Sequence, residues 1–147
     1  MVFELRPNAD KTAWTERVVD AFCQKGGTSC TDGSFPIDVI SDAAGNLIGT
    51  TLSGGANNQN GVMYEVNPHW NAAQAESAQF SPGATPAQAD WIHQTERVLY
   101  SFCALPNCAD SGGVGGYAVT MLAPGRFYSA TLLGGAYGQG VVFELSR

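Results

Sequence analysis

The apolar positions of this chain recur at the short period of β-strands. Arg17 to Phe22 alternates and carries the β-branched Val18 and Val19. Phe35 to Ser41 is a second apolar run, Asn46 to Leu52 a third, rich in Thr and Ile, and Gly61 to Val66 a fourth. Short alternating runs enriched in β-branched and aromatic residues predict strands. Turn chemistry separates them: Asp32-Gly33, then Asp42-Ala43-Ala44-Gly45-Asn46, then Ser53-Gly54-Gly55 through Asn60-Gly61. Asp and Asn close turns with their own side chains, and Gly supplies positive φ. Further on, Arg97 to Phe102, Tyr117 to Leu122, Phe127 to Leu132 and Val141 to Leu145 predict four more strands in the same order.

The second set restates the first. Thr15-Glu16-Arg17-Val18-Val19 returns eighty residues later as Thr95-Glu96-Arg97-Val98-Leu99, Phe22-Cys23 as Phe102-Cys103, and Gly54-Gly55-Ala56 as Gly134-Gly135-Ala136. A third phrase occurs as Val2-Phe3-Glu4-Leu5, Met63-Tyr64-Glu65-Val66 and Val142-Phe143-Glu144-Leu145. Each repeat of this kind is a supersecondary unit that buries its apolar face only against a neighbour, so a residue present in every copy serves the fold first. The chain reads as one repeat domain over 1–147, with a leading strand and linker at 1–14, a first repeat at 15–66, an insertion at 67–94 and a second repeat at 95–147. The expected fold is all-β: two four-stranded antiparallel, propeller-blade-like repeats plus an extra N-terminal strand, with a short helical insertion in the second repeat. Phe3 and Leu5 share one side of the leading strand and Val2 and Glu4 the other; the apolar side is expected to face the core. Because each repeat already ends in its own fourth strand, the leading strand is expected to pair with another subunit, or with nothing in a chain cut from a longer array. A small sandwich of the two sheets is the alternative. Unpaired edges recruit strands, which makes Val2, Phe3, Glu4 and Leu5 candidate edge-interaction residues and self-assembly an expectation.

One constellation supports a resemblance. Phe22, Cys23, Cys30, Asp32, Gly33 and Pro36 precede Asp-x-x-Gly-Asn-Leu-x-Gly-Thr-Thr-x-x-Gly-Gly (Asp42 to Gly55) and then an aromatic-Glu-aliphatic strand. This resembles the GloVer-type tandem repeat, and the resemblance covers nearly the whole chain except residues 69–92. It implies a bacterial extracellular repeat protein of propeller-like fold, often carried on a surface or sorting anchor, and it brings no catalytic motif. The second copy departs from the pattern. Leu122-Ala123-Pro124-Gly125-Arg126 stands for Asp-x-x-Gly-Asn and Ser129-Ala130 for Gly-Thr, marking a degenerate repeat whose turn closes another way.

Composition narrows the function classes. The 147 residues suffice for one domain with a real core, and 14% charged residues with 18 Gly suit a turn-rich β protein. A formal charge of −6 argues against nucleic acid or an anionic membrane surface as partner. No run has the length and apolarity of a transmembrane helix. Met1 leads straight into an apolar strand without the basic start of a signal peptide, so the expectation is a mature or trimmed piece, or export by another route. The four cysteines fall as Cys23…Cys30 and Cys103…Cys108, one close pair per repeat. Local pairing is the economical choice among three connectivities. The rival, a four-thiolate metal site, lacks Cys-x2-Cys spacing. Disulfides would place the protein in the periplasm, at the cell surface or in the medium.

The insertion holds both histidines, His69 and His93, and two of three tryptophans, Trp70 and Trp91. Asn71-Ala72-Ala73-Gln74 and Thr85-Pro86-Ala87-Gln88 each have a capping residue with Gln three positions on, predicting short helices near 72–79 and 86–93. A long insertion on one repeat maps to a binding face or to a cover over a sheet edge.

Catalytic chemistry has little footing. Glu4, Glu65 and Glu144 recur at one strand position, as structural edge residues would. Asp32, Asp38 and Asp42 gather around turns that Asx bonding explains. Neither histidine lies in a triad context and no Gly-x-Ser-x-Gly occurs. Gly112-Gly113-Val114-Gly115-Gly116 is followed by no Gly-Lys-Ser/Thr. No cofactor or metal is implied. Two readings remain. A secreted or surface structural protein would dock on itself or another surface subunit through its sheet edges and the 67–94 insertion. A lectin-like module would stack sugars on Trp14, Trp70, Trp91, Tyr117 or Tyr137, with Asn57, Asn58 and Gln59 as hydrogen-bonding partners and His69 and His93 nearby in sequence to the tryptophans.

Overall fold

The computed structural model describes residues 1–57, 59–67, 95–110 and 117–147. Nine strands run through these residues: β1 (Val2–Pro7), β2 (Trp14–Asp20), β3 (Ser34–Ser41), β4 (Leu47–Ser53), β5 (Val62–Asn67), β6 (Thr95–Ser101), β7 (Thr120–Ala123), β8 (Arg126–Ala130) and β9 (Val142–Ser146). Every pairing is antiparallel. Helical structure among the described residues is limited to 3-10 turns at Gly27–Ser29 and Pro106–Cys108. The protein is therefore all-β, as its periodicity predicts. The helices expected near 72–79 and 86–93 lie outside the described residues.

The strands are grouped differently from the expected two units of four with one left over. The sheets are β1-β2, then β3-β4-β5-β6, then β7-β8-β9. The leading strand is not left without a partner in the chain: β1 pairs with β2, setting Glu4 opposite Arg17. In the same way β6, the first strand of the second repeat, joins the last strand of the first, with Glu65 opposite Arg97. The turn chemistry explains the shift. After β2 and after β6 the chain enters a cysteine loop through Cys23 and Cys103, held at φ 65° and 63°, a left-handed conformation that turns it away from the sheet it has just completed. Each sheet thus spans a repeat boundary.

The central sheet is covered on both faces. On one side Val62, Tyr64 and Val66 of β5 pack with Val2 and Val19 of the two-stranded sheet, flanked by Phe22, Leu47 and Val98. On the other, Ile48 and Met63 pack with Phe102, Val119 and Phe127, flanked by Phe143 and Leu145 of β9. Adjacent residues of β5 alternate between the two cores because strand side chains point to opposite faces. The phenylalanine before each cysteine loop bridges one sheet to the next. Phe22 meets Tyr64 edge-on at 4.7 Å, and Phe102 meets Phe143 at 5.3 Å, the same contact in successive copies.

One orientation reverses the expectation. In β1 it is Val2 that is buried, while Phe3 and Leu5 are 51% and 50% exposed. Their counterparts Tyr64 and Phe143 each face the preceding sheet, and β1 lies in the first sheet of the three, so nothing among the described residues covers that side. The turns follow their sequences. Asp42 accepts N–H bonds from Ala44 and Asn46 and one from the Asn46 amide, with Gly45 at φ 82° completing the reversal. In the second copy Pro124-Gly125 closes the hairpin between Ala123 and Arg126. The degenerate turn is thus closed by proline and glycine in place of the aspartate.

Candidate interaction edges and charged pairs

The cysteines form Cys23–Cys30 and Cys103–Cys108, the local pairing. Behind each pair stands an aspartate that fastens the loop. Asp32 accepts the Gln24 N–H at 2.8 Å, and Asp110 accepts the Ala104 and Leu105 N–H groups at 2.9 and 3.1 Å and the Tyr100 hydroxyl at 2.7 Å. Partial burial works against it, but the bond from Tyr100 and those backbone donors hold the Asp110 carboxyl below its ordinary range. The equivalence of Asp32 and Asp110 was hidden in the sequence because the spacing after the first cysteine differs by two residues between copies. Asp38, expected near a turn, instead lies within β3 and accepts the Val119 N–H at 2.9 Å, tying the central sheet to its neighbour.

The recurring glutamate has a recurring partner. Glu4 meets Arg17 at 3.5 Å across the β1–β2 pair, and Glu65 meets Arg97 at 3.4 Å across β5–β6. Glu65 is no edge residue: it is 5% exposed, in an inner strand, and Arg147 also reaches it at 2.7 Å. Glu144 occupies the same position in β9, yet no first-strand arginine stands opposite it among the described residues. It turns to β8 instead, accepting from Arg126 at 2.7 Å and from the Tyr128 hydroxyl at 2.6 Å. Those two bonds, Arg126 first, keep the Glu144 carboxyl below its usual range.

The remaining predicted contacts are scattered. Trp14 opens β2 and is 59% exposed, Tyr117 precedes β7, and Tyr137, in the turn before β9, is 91% exposed. They sit on three separate segments, and none lines the groove of about 270 Å³ between β1 and β3. His69, Trp70, Trp91, His93 and Asn58 lie outside the described residues, as does the glycine run at 112–116. Asn57 does not face outward as a ligand donor: its amide bonds the Ser101 carbonyl at 3.0 Å, beside an Ala56 N–H bond to the Ser101 hydroxyl, so this loop clasps the end of β6.

One charged group was not anticipated. Asp20, Asp32 and Glu96 lie near one another between the first and central sheets, with Lys25 bonded to Glu96. Burial, with Glu96 adding to it, Lys25 opposing and Asp32 adding again, pushes the Asp20 carboxyl up to about 6. Burial likewise raises Glu96 against the pull of Lys25. One oxygen each of Asp32 and Glu96 is buried without a hydrogen-bond partner among the described residues. The sequence offered no signal for this, since Glu16 and Glu96 sit in the same Thr-Glu-Arg phrase and only Glu96 is covered by a neighbouring sheet. Among the described residues no His, Cys, Asp and Glu group is arranged to hold a metal ion, and no helix is long and apolar enough to cross a membrane. Compared with family models, with curated proteins and with solved structures, the chain matches none of them.

Proposed function

We propose that this protein is an extracellular or cell-surface structural module that works by docking through its two outer sheets. One observation carries the reading: the outer sheets display the same kind of surface that the central sheet buries. On the β1–β2 side Phe3 and Leu5 stand exposed where Tyr64 and Val66 are buried. On the β7–β9 side Leu122 and Val142 are 75% and 81% exposed, whereas Met63, the counterpart of Val142, is fully buried. Apolar residues ordered on strands with an open edge are suited to take up another sheet. The resemblance to the GloVer-type repeat supports a propeller-like stacking of such units. The two disulfides support an oxidising compartment outside the cytoplasm.

Light scattering on the non-reduced protein tests the reading. A defined oligomer is expected, and its mass should fall when Phe3→Asp or Leu122→Asp places a charge on an outer face. A single-chain mass at every concentration, unaltered by either substitution, would count against it.

A further inference from the structure

The occupied pairings inside the chain specify what its open edge accepts. Among the described residues β9 pairs only with β8. The same edge of the equivalent strand is filled twice elsewhere, by β6 against β5 and by β2 against β1. Both occupants carry Thr-Glu-Arg-Val at the start of the strand, β2 after Trp14, and both place their arginine opposite the glutamate of the strand they join. β1 and β9 share the sequence Val-Phe-Glu-Leu, so β2 offers the same ladder, the same register and the same Arg17 to either of them.

β1 covers its neighbour poorly. Among the described residues it has no strand on its other side, and the groove of about 270 Å³ left beside it is lined by Val2, Phe3, Ile37, Val39 and Tyr64. Ile37 and Val39 of β3 remain 37% and 43% exposed there. On the opposite face of the central sheet the three-stranded sheet fills the corresponding space, burying Ile48 and Met63. We propose, building on the docking reading above, that the β7–β8–β9 sheet of one copy replaces β1 of a second copy. β9 then pairs with that copy's β2, with Glu144 opposite its Arg17, while β7 and β8 cover Ile37 and Val39. The exchange keeps one Val-Phe-Glu-Leu ladder and adds two strands of apolar cover. It joins unlike surfaces head to tail, an arrangement that closes as a ring or continues as a fibre.

Like substitutions at equivalent positions test this in opposite directions. Glu4→Lys sets two cations across the β1–β2 pair and frees β2, so the association constant of the full-length protein should rise, by about tenfold for a loss of about 1.4 kcal/mol in the competing pair. Glu144→Lys should lower it. Because either variant could misfold, circular dichroism and the intact mass with both disulfides closed are read first. A labelled peptide of residues 15–22 is then added to the wild-type chain. It should bind and slow amide exchange at residues 141–146, and the Arg17→Glu peptide should bind about tenfold more weakly. Absence of peptide binding, or binding without protection at 141–146, overturns the proposal. So does a folded Glu4→Lys protein that associates no better than wild type. An oligomer that Phe3→Asp dissolves, but that is indifferent to both lysine variants and to the peptide, removes this interface and leaves the general docking reading standing. Peptide binding to a chain that stays monomeric at every concentration overturns the second copy as occupant and leaves docking with another protein.

Discussion

Gly49 and Ser129 stand at the same position of the two repeats, and their partners explain the difference. Gly49 faces Tyr64, whose hydroxyl bonds the Asp38 carbonyl at 3.3 Å. A Cβ on Gly49 would run into both that carbonyl and the hydroxyl. Ser129 faces Phe143, which has no hydroxyl and leaves room for a side chain. Gly49→Ala should therefore destabilise by about 3 kcal/mol through overpacking, and Tyr64→Phe alone by about 1 kcal/mol. The double substitution should cost less than the two summed, since the second removes the hydroxyl that the first runs into, although the Asp38 carbonyl stays in place. Chemical denaturation of the four proteins checks this, and additive losses would refute the pairing. The Ser129 hydroxyl is buried with no partner among the described residues. Ser129→Ala should thus be neutral or stabilising, on the order of 0.5–1 kcal/mol. The exchange of Gly-Thr for Ser-Ala was visible in the sequence. Its cause was not, because the compensating Tyr-to-Phe change lies on a different strand.

Between elements, the cysteine loops and the buried carboxylates set the terms. Each loop moves the chain from one sheet to the next, so opening one loosens a junction while its flanking strands remain paired. Replacing Cys23 and Cys30 by serine should cost about 2 kcal/mol on the chain-entropy estimate, and the Cys103–Cys108 pair a similar amount. Calorimetry of each double variant measures it, and the intact mass of the wild-type protein should rise by four hydrogens on full reduction. Asp20 adds a pH dependence. Its carboxyl binds its proton more tightly folded, at about 6, than in the unfolded chain, at about 3.9. Between those values the folded state holds the extra proton, so this group's contribution to stability falls as pH rises from about 4 to about 6 and is level above that. Asp20→Asn, which carries no charge, should melt higher than wild type at pH 7, with the gap closing as the pH falls to about 4. A gap that persisted at low pH would place its cause elsewhere.

Strand positions were legible because turn residues punctuate them and because the aromatic-Glu-aliphatic phrase recurs. Their grouping was not. A repeat shows which residues return, whereas the ladder that joins Glu65 to Arg97 crosses from one copy to the next and leaves no mark in either. The side that Phe3 presents was misjudged for the same reason, since alternation tells which residues share a face and not whether a neighbour covers it.

For the whole molecule, stability should be graded from the middle outward. β5 contributes to both cores, with Val62, Met63, Tyr64 and Val66 fully buried, and β4 lies beside it. Amide exchange should be slowest along β4 and β5 and fastest along β1 and β9, whose outer edges are unpaired among the described residues. Uniform protection across all the sheets would contradict that gradient. Phe127→Ala, which opens the second core, should cost about 3–5 kcal/mol and speed exchange in β7–β9 before β1–β2.

The offset between repeat and sheet also bears on how the protein is made. Synthesis is vectorial, and β5 is finished at Asn67, whereas the strand that completes its sheet starts at Thr95. Throughout the intervening elongation the nascent central sheet carries a ready edge, and β2, a strand of the right type that has already emerged, is engaged with β1. That engagement occupies the competing acceptor while the proper one is still in the ribosome. On this view the leading strand acts in folding as a placeholder, keeping the first Thr-Glu-Arg-Val segment away from the wrong glutamate until the second has arrived.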